Sequence, residues 1–245
     1  MFLQLTLDAG LSYDVSIIAV SAATLAGKSF NGSVAKSALI GSAAWDRVVL
    51  QDQSFEPLPP SVVVDGRSVA TRGDQAAFQT GVNGLVAKID AADAAAGKAP
   101  IPVTLYETQP LASYGYVSGR ADAPIYGSST SAPGGLNAPY VGAANPVAQM
   151  AADLHQAYVA AAAKWNAANP GKSRLDVALV GDAWVSAMNL RVAQTDPFLP
   201  KEPAGTVDLW DGDALLACCT APIGYHPSSY GAYLDALVLL SLIHI

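Results

Sequence analysis

The sequence predicts an α/β fold with a parallel sheet covered on both faces, on three observations. Short apolar runs rich in β-branched residues recur along the chain, helical patterns separate them, and only 13% of the 245 residues are charged. Continuous rather than alternating apolar runs mark strands buried on both sides. Helices between successive strands supply the crossovers that parallel pairing needs. With 51% hydrophobic residues and a mean hydropathy of +0.29, the chain can bury a full core as one domain over residues 1–245.

The elements follow in order. Met1–Gly10 reads as a helix leading into a strand over Asp14–Val20, and Ser33–Ser42 as a short helix. A second strand is expected over Arg47–Gln51. Asp74–Ala96 is alanine-rich with Phe78, Val82, Leu85, Val86 and Ile89 at helical spacing, and Gly97 ends it ahead of Pro100. Ile101–Tyr106 is the third strand. Residues 107–142 break the rhythm with Gly, Ser, Pro and Tyr, and a loop of that length is either functional or disordered. Its tyrosines, with Tyr106 at its start, are candidates to line a cleft: Tyr106, Tyr114, Tyr116, Tyr126 and Tyr140. Asn145-Pro146 opens a helix that Asn169-Pro170-Gly171 stops. A fourth strand over Leu175–Val180, a helix from Asp182 to Val192, a loop over Asp196–Gly212 and a last helix over Ser228–Leu242 complete the chain.

Composition removes several function classes. The net charge is −7, with no cluster of Lys and Arg, which argues against a nucleic-acid partner. No run of eighteen apolar residues is uninterrupted, so no membrane span is expected. Cys218 and Cys219 are adjacent, a spacing unsuited to a disulfide or a metal cluster. There is no phosphate-binding glycine loop and no His-Glu-x-x-His. Neither a cofactor nor a metal is implied.

Three histidines are available for acid/base chemistry. His155 falls inside a helix and reads as structural, and His244 lies at the end of the chain. His226 stands in Gly224-Tyr225-His226-Pro227-Ser228-Ser229, a turn opening the last helix, with Pro227 read as the first helical residue. A histidine fixed there and reachable from solvent suits a general base.

Two blocks carry a family resemblance. His226-Pro227-Ser228 followed by Gly231-Ala232-Tyr233-Leu234 resembles the C-terminal catalytic block of SGNH (GDSL-type) hydrolases. Trp45–Leu58, with Leu50-Gln51-Asp52-Gln53-Ser54, is similar to a bacterial branch in which this pattern replaces Gly-x-Asn-Asp. Leu105-Tyr106-Glu107-Thr108 and Val180-Gly181-Asp182-Ala183-Trp184 are weaker echoes after strands. The resemblance implies a three-layer α/β/α sandwich with a flavodoxin-like sheet, cleaving acyl or acetyl esters of small molecules or carbohydrates, often in an exported protein.

The same resemblance implies a serine nucleophile, His226 as its base, and Gln51 and Gln53 as amide donors to the oxyanion. The two glutamines are equally readable as loop residues bonding to backbone. Ile223 stands where the family places the aspartate that orients the histidine, leaving Asp211 or Asp213 for that role. No Gly-Asp-Ser or Gly-Asn-Ser follows a strand, and Gly181-Asp182-Ala183 carries alanine at the serine position. The expectation is therefore a chain lacking the family's first strand and its serine, both upstream of Met1. A non-catalytic carbohydrate-binding or interaction module, with Tyr114, Tyr116 or Tyr126 stacking on sugar, is the alternative.

Overall fold

The structure, a computed structural model, describes residues 1–20, 22–28, 30–42, 44–112, 139–197, 205–210 and 226–244. These form a mixed α/β fold of five strands and six helices: α1 (Phe2–Asp8), α2 (Val34–Ile40), β1 (Val48–Leu50), β2 (Ser61–Val64), β3 (Arg67–Ala70), α3 (Gln75–Ala95), β4 (Val103–Tyr106), α4 (Pro146–Ala168), β5 (Leu175–Ala178), α5 (Val180–Asn189) and α6 (Ser229–His244).

Strands β1, β4 and β5 pair in that order, all parallel, with Leu50 beside Leu105 and Tyr106 beside Ala178. Parallel pairing puts all three C-termini at one edge, so the residues following the strands meet there. Alternate side chains then feed two cores. Val103, Leu105 and Leu175 pack with Phe78, Val82 and Leu85 of α3 and with Leu154 and Tyr158 of α4. Tyr106 and Ala178 pack with Trp184 and Met188 of α5, against Leu209 and Trp210. Burying one such Leu or Phe side chain contributes roughly 2 kcal/mol.

The long helices begin where their caps stand. Asp74 accepts from the N–H of Ala77, and Asn145 from that of Ala148 ahead of Pro146. Ser33 caps α2 through the N–H of Lys36.

Two features depart from the sequence expectations. Residues 14–20 are not a strand: they enter no ladder among the described residues, and Ile17 is 80% exposed. β-branched composition yields a strand only where a neighbouring backbone offers hydrogen bonds. Conversely, β2 and β3 form an antiparallel hairpin the sequence reading does not include. Its turn, Asp65-Gly66, has φ of 49° and 71°, the pairing of positive angles that a two-residue hairpin turn requires and that Asp-Gly tolerates. Val62 and Val64 turn inward to the first core while Val63 faces out.

Helix α6 is fixed at its start. The cap is Ser228, two residues beyond His226: its Oγ accepts from the N–H groups of Tyr230 and Gly231, each at 3.1 Å, and donates to the Asp208 carbonyl at 2.6 Å. Pro227 therefore precedes the cap rather than opening the helix. Gly231 lets this turn press onto its neighbours, since a Cβ there would stand 2.8 Å from Trp184 Cζ2 and closer still to the Leu209 carbonyl. Gly231→Ala is expected to lower stability by about 1–3 kcal/mol through overpacking, measured as a lower urea midpoint with unchanged slope. An unchanged midpoint would mean that this contact relaxes at no cost.

Candidate active site at the strand C-termini

The edge beyond β1, β4 and β5 carries a row of buried acids. Past Leu50 the chain turns through Gln51, Asp52 and Gln53. Asp52 is 3% exposed, and its Oδ1 accepts from the N–H of Gln53 at 2.6 Å and of Leu25 at 3.2 Å. Its carboxyl neighbours that of Glu56, itself 9% exposed. Two carboxylates cannot both ionise in that space. Burial, reinforced by the charge and hydrogen bond of Glu56, pushes Asp52 up to about 8. The two carboxyls therefore share a proton. Burial raises Glu56 as well, against the opposing hydrogen bonds of Asp52 and Thr24.

Beyond β4 the first residue is Glu107, with no exposed surface at all. Burial, and then the charge of Asp182, pushes it up to about 8, while the N–H groups of Asp182 and Gly181 oppose the rise. Gly181 is required here, because a Cβ at that position would overlap Glu107 Oε1. Between the two acidic centres lies Tyr158 of α4, fully buried, whose hydroxyl is raised by burial and by Asp52, with Thr108 and the Asp52 backbone opposing. Glu107 makes a further small contribution in the raising direction.

The sequence-derived candidates fall as follows. Gln51 is exposed at the end of β1. Gln53 is half-buried, and its side-chain Oε1 accepts from the N–H of Phe55 at 2.8 Å, which turns its amide nitrogen away from that backbone. His226 is exposed in the turn ahead of α6. That turn reaches the same edge through two links: Ser228 N–H donates to the Leu209 carbonyl at 2.8 Å, and the Trp210 indole donates to the carbonyl of Pro110, four residues past β4, at 2.9 Å. Trp210 in turn stacks edge-on against Trp184 at 5.1 Å, and Trp184 donates to Asp235 at 2.7 Å. Asp211 and Asp213 lie outside the described residues, as do Cys218, Cys219 and Ile223.

The tyrosine expectation is corrected in part. Tyr106 is 8% exposed and packs in the second core, and Tyr140 is fully buried with its hydroxyl donating to Asp153 at 2.8 Å. Both are core residues, not cleft linings. Tyr114, Tyr116 and Tyr126 lie outside the described residues.

His155 is the residue whose placement the sequence reading misses. It projects from α4 toward α5, its Nδ1 2.9 Å from Asp182 Oδ2 and 3.7 Å from Glu107 Oε2. The signal available in the sequence was its position between the buried Ala151, Leu154 and Tyr158, at the margin of the helix face that packs on the sheet.

Comparison with protein-family models, with curated proteins and with solved structures returns no match to this chain. Among the described residues no helix is long and apolar enough to cross a membrane.

Proposed function

We propose that the chain serves an SGNH-type hydrolase that cleaves carboxylic esters, acyl or acetyl groups on a small molecule or a carbohydrate. The observation that supports this best is that the Gln51–Gln53 turn directly follows β1 while the His226 turn is tied, through Leu209 and Trp210, to the segment that follows β4. Ligands of open parallel sheets bind at the edge beyond the strand C-termini.

In this reading His226 accepts the proton of a serine hydroxyl as its oxygen attacks the ester carbonyl, and returns it to the departing alcohol as the carbon–oxygen bond breaks. Water then repeats the sequence on the acyl-serine, releasing the acid. An amide N–H from Gln51 or Gln53 stabilises the negative oxygen at each tetrahedral stage. Asp211 or Asp213 orients the imidazole. Ser228 is not the nucleophile, because its hydroxyl is engaged by two N–H donors and one carbonyl. The architecture proposed with it is a three-layer α/β/α sandwich, the order β1-β4-β5 corresponding to the 3-4-5 side of the flavodoxin-like order 2-1-3-4-5.

The test is hydrolysis of p-nitrophenyl acetate by residues 1–245 and by a version extended with upstream coding sequence. Turnover in either supports the reading, and none in both contradicts it. Where turnover is found, removing the oxyanion donor by Gln51→Ala or Gln53→Ala is expected to lower kcat about a hundredfold with little change in KM. Wild-type kcat in both variants would return the glutamines to a loop-bonding role.

A further inference from the structure

Glu107, His155 and Asp182 come from three separate elements, the end of β4, the middle of α4 and the first turn of α5, yet one donor atom from each lies within 4.8 Å of the others. Their contacts are unfinished. Glu107 is completely buried; the N–H groups of Asp182 and Gly181 approach its carboxyl, but neither oxygen completes a hydrogen bond of good geometry. His155 Nδ1 is shielded from solvent and, although 2.9 Å from Asp182 Oδ2, is off the hydrogen-bond direction. Burying a carboxyl with its hydrogen bonds incomplete costs free energy that a cation at its oxygens would offset. Donor atoms about 2.0–2.2 Å from one cation stand roughly 3–3.6 Å apart, and the pairs here at 2.9 and 3.7 Å bracket that spacing.

We propose that Glu107, His155 and Asp182 bind one divalent transition-metal cation, the class that one imidazole nitrogen and two carboxylates select. The cation supplies a positive partner for the buried Glu107 and ties α4 and α5 to the end of β4. Its position in the first turn of α5 opposes the helix dipole, and the two negative ligands offset that repulsion. Asp182 and His155 are partly exposed, which gives the ion a path from solvent and leaves room for a water ligand. The ligands lie far apart in sequence, so no short motif announces them. The site does not depend on the ester-hydrolase reading, since it includes none of His226, Gln51 or Gln53.

The experiment is Zn2+ titration of the full chain by calorimetry, with thermal unfolding followed in parallel and Co2+ absorption as a second probe. The expected result is one Zn2+ per chain at micromolar Kd or tighter, a raised Tm, and Co2+ ligand-field bands without thiolate charge transfer. His155→Ala and Asp182→Asn, checked for folding by circular dichroism, should each weaken binding at least tenfold, whereas His226→Ala should not. The Co2+ spectrum of the unmutated chain settles the matter even where a variant fails to fold. Absence of Zn2+ binding, binding that survives both variants, or a thiolate spectrum from Cys218 and Cys219 would each overturn the proposal.

Discussion

Replacing His226 by alanine is expected to lower kcat/KM for p-nitrophenyl acetate by three orders of magnitude or more, with the fold intact. Loss of the base in a nucleophile–base pair has effects of that size, because the hydroxyl is then a poor nucleophile at neutral pH. The fold should survive, since His226 is exposed and the cap of α6 belongs to Ser228. Steady-state kinetics beside a urea unfolding curve separate the two effects. Turnover within a few-fold of the parent would remove His226 from the chemistry.

The second large effect concerns stability and pH. Burial beside Glu56 pushes Asp52 up to about 8 in the folded chain, against 3.8 for the free side chain. Between those values the unfolded chain binds fewer protons than the folded one, so stability falls as pH rises. The contribution is absent below pH 3.8 and reaches its full adverse value above pH 8, at a ceiling on the order of 5 kcal/mol. Asp52→Asn mimics the protonated acid: its amide oxygen can still accept from Gln53 and Leu25, and its NH2 can donate to Glu56. The variant should match the parent near pH 3.5 and exceed it by a few kcal/mol at pH 8.5, in urea unfolding at the two pH values. Equal stabilities at pH 8.5 would mean that the pair ionises freely.

Much of the frame was legible in the sequence because it is local. Asp74 and Asn145 announce α3 and α4, and their apolar spacing gives the buried faces; β1, β4 and β5 lie within the apolar runs that predict them. What the sequence misread depends on partners. Residues 14–20 have strand composition but no ladder among the described residues, and the Asp65-Gly66 hairpin, absent from the sequence expectations, exists through the pairing of β2 with β3. Of the candidate site, Glu107 and Asp182 were visible as residues following strands. Their meeting with His155 was not, because the face that α4 turns to the sheet is decided by Leu154, Tyr158 and Trp165 packing into the core. The buried pair Asp52 and Glu56 likewise follows a strand end, and its burial involves Leu25, distant in sequence, whose N–H donates to Asp52.

Ester hydrolysis by a serine at this edge is tested most directly by a fluorophosphonate probe, which reacts with an activated serine and stays attached. The probe is applied to residues 1–245 and to the upstream-extended chain, each with and without His226→Ala, and the adduct is located by peptide mass mapping. One labelled serine in the unmutated protein, its labelling suppressed by His226→Ala, is the result the proposed mechanism requires. No labelled serine in either length, or labelling indifferent to His226, would contradict it.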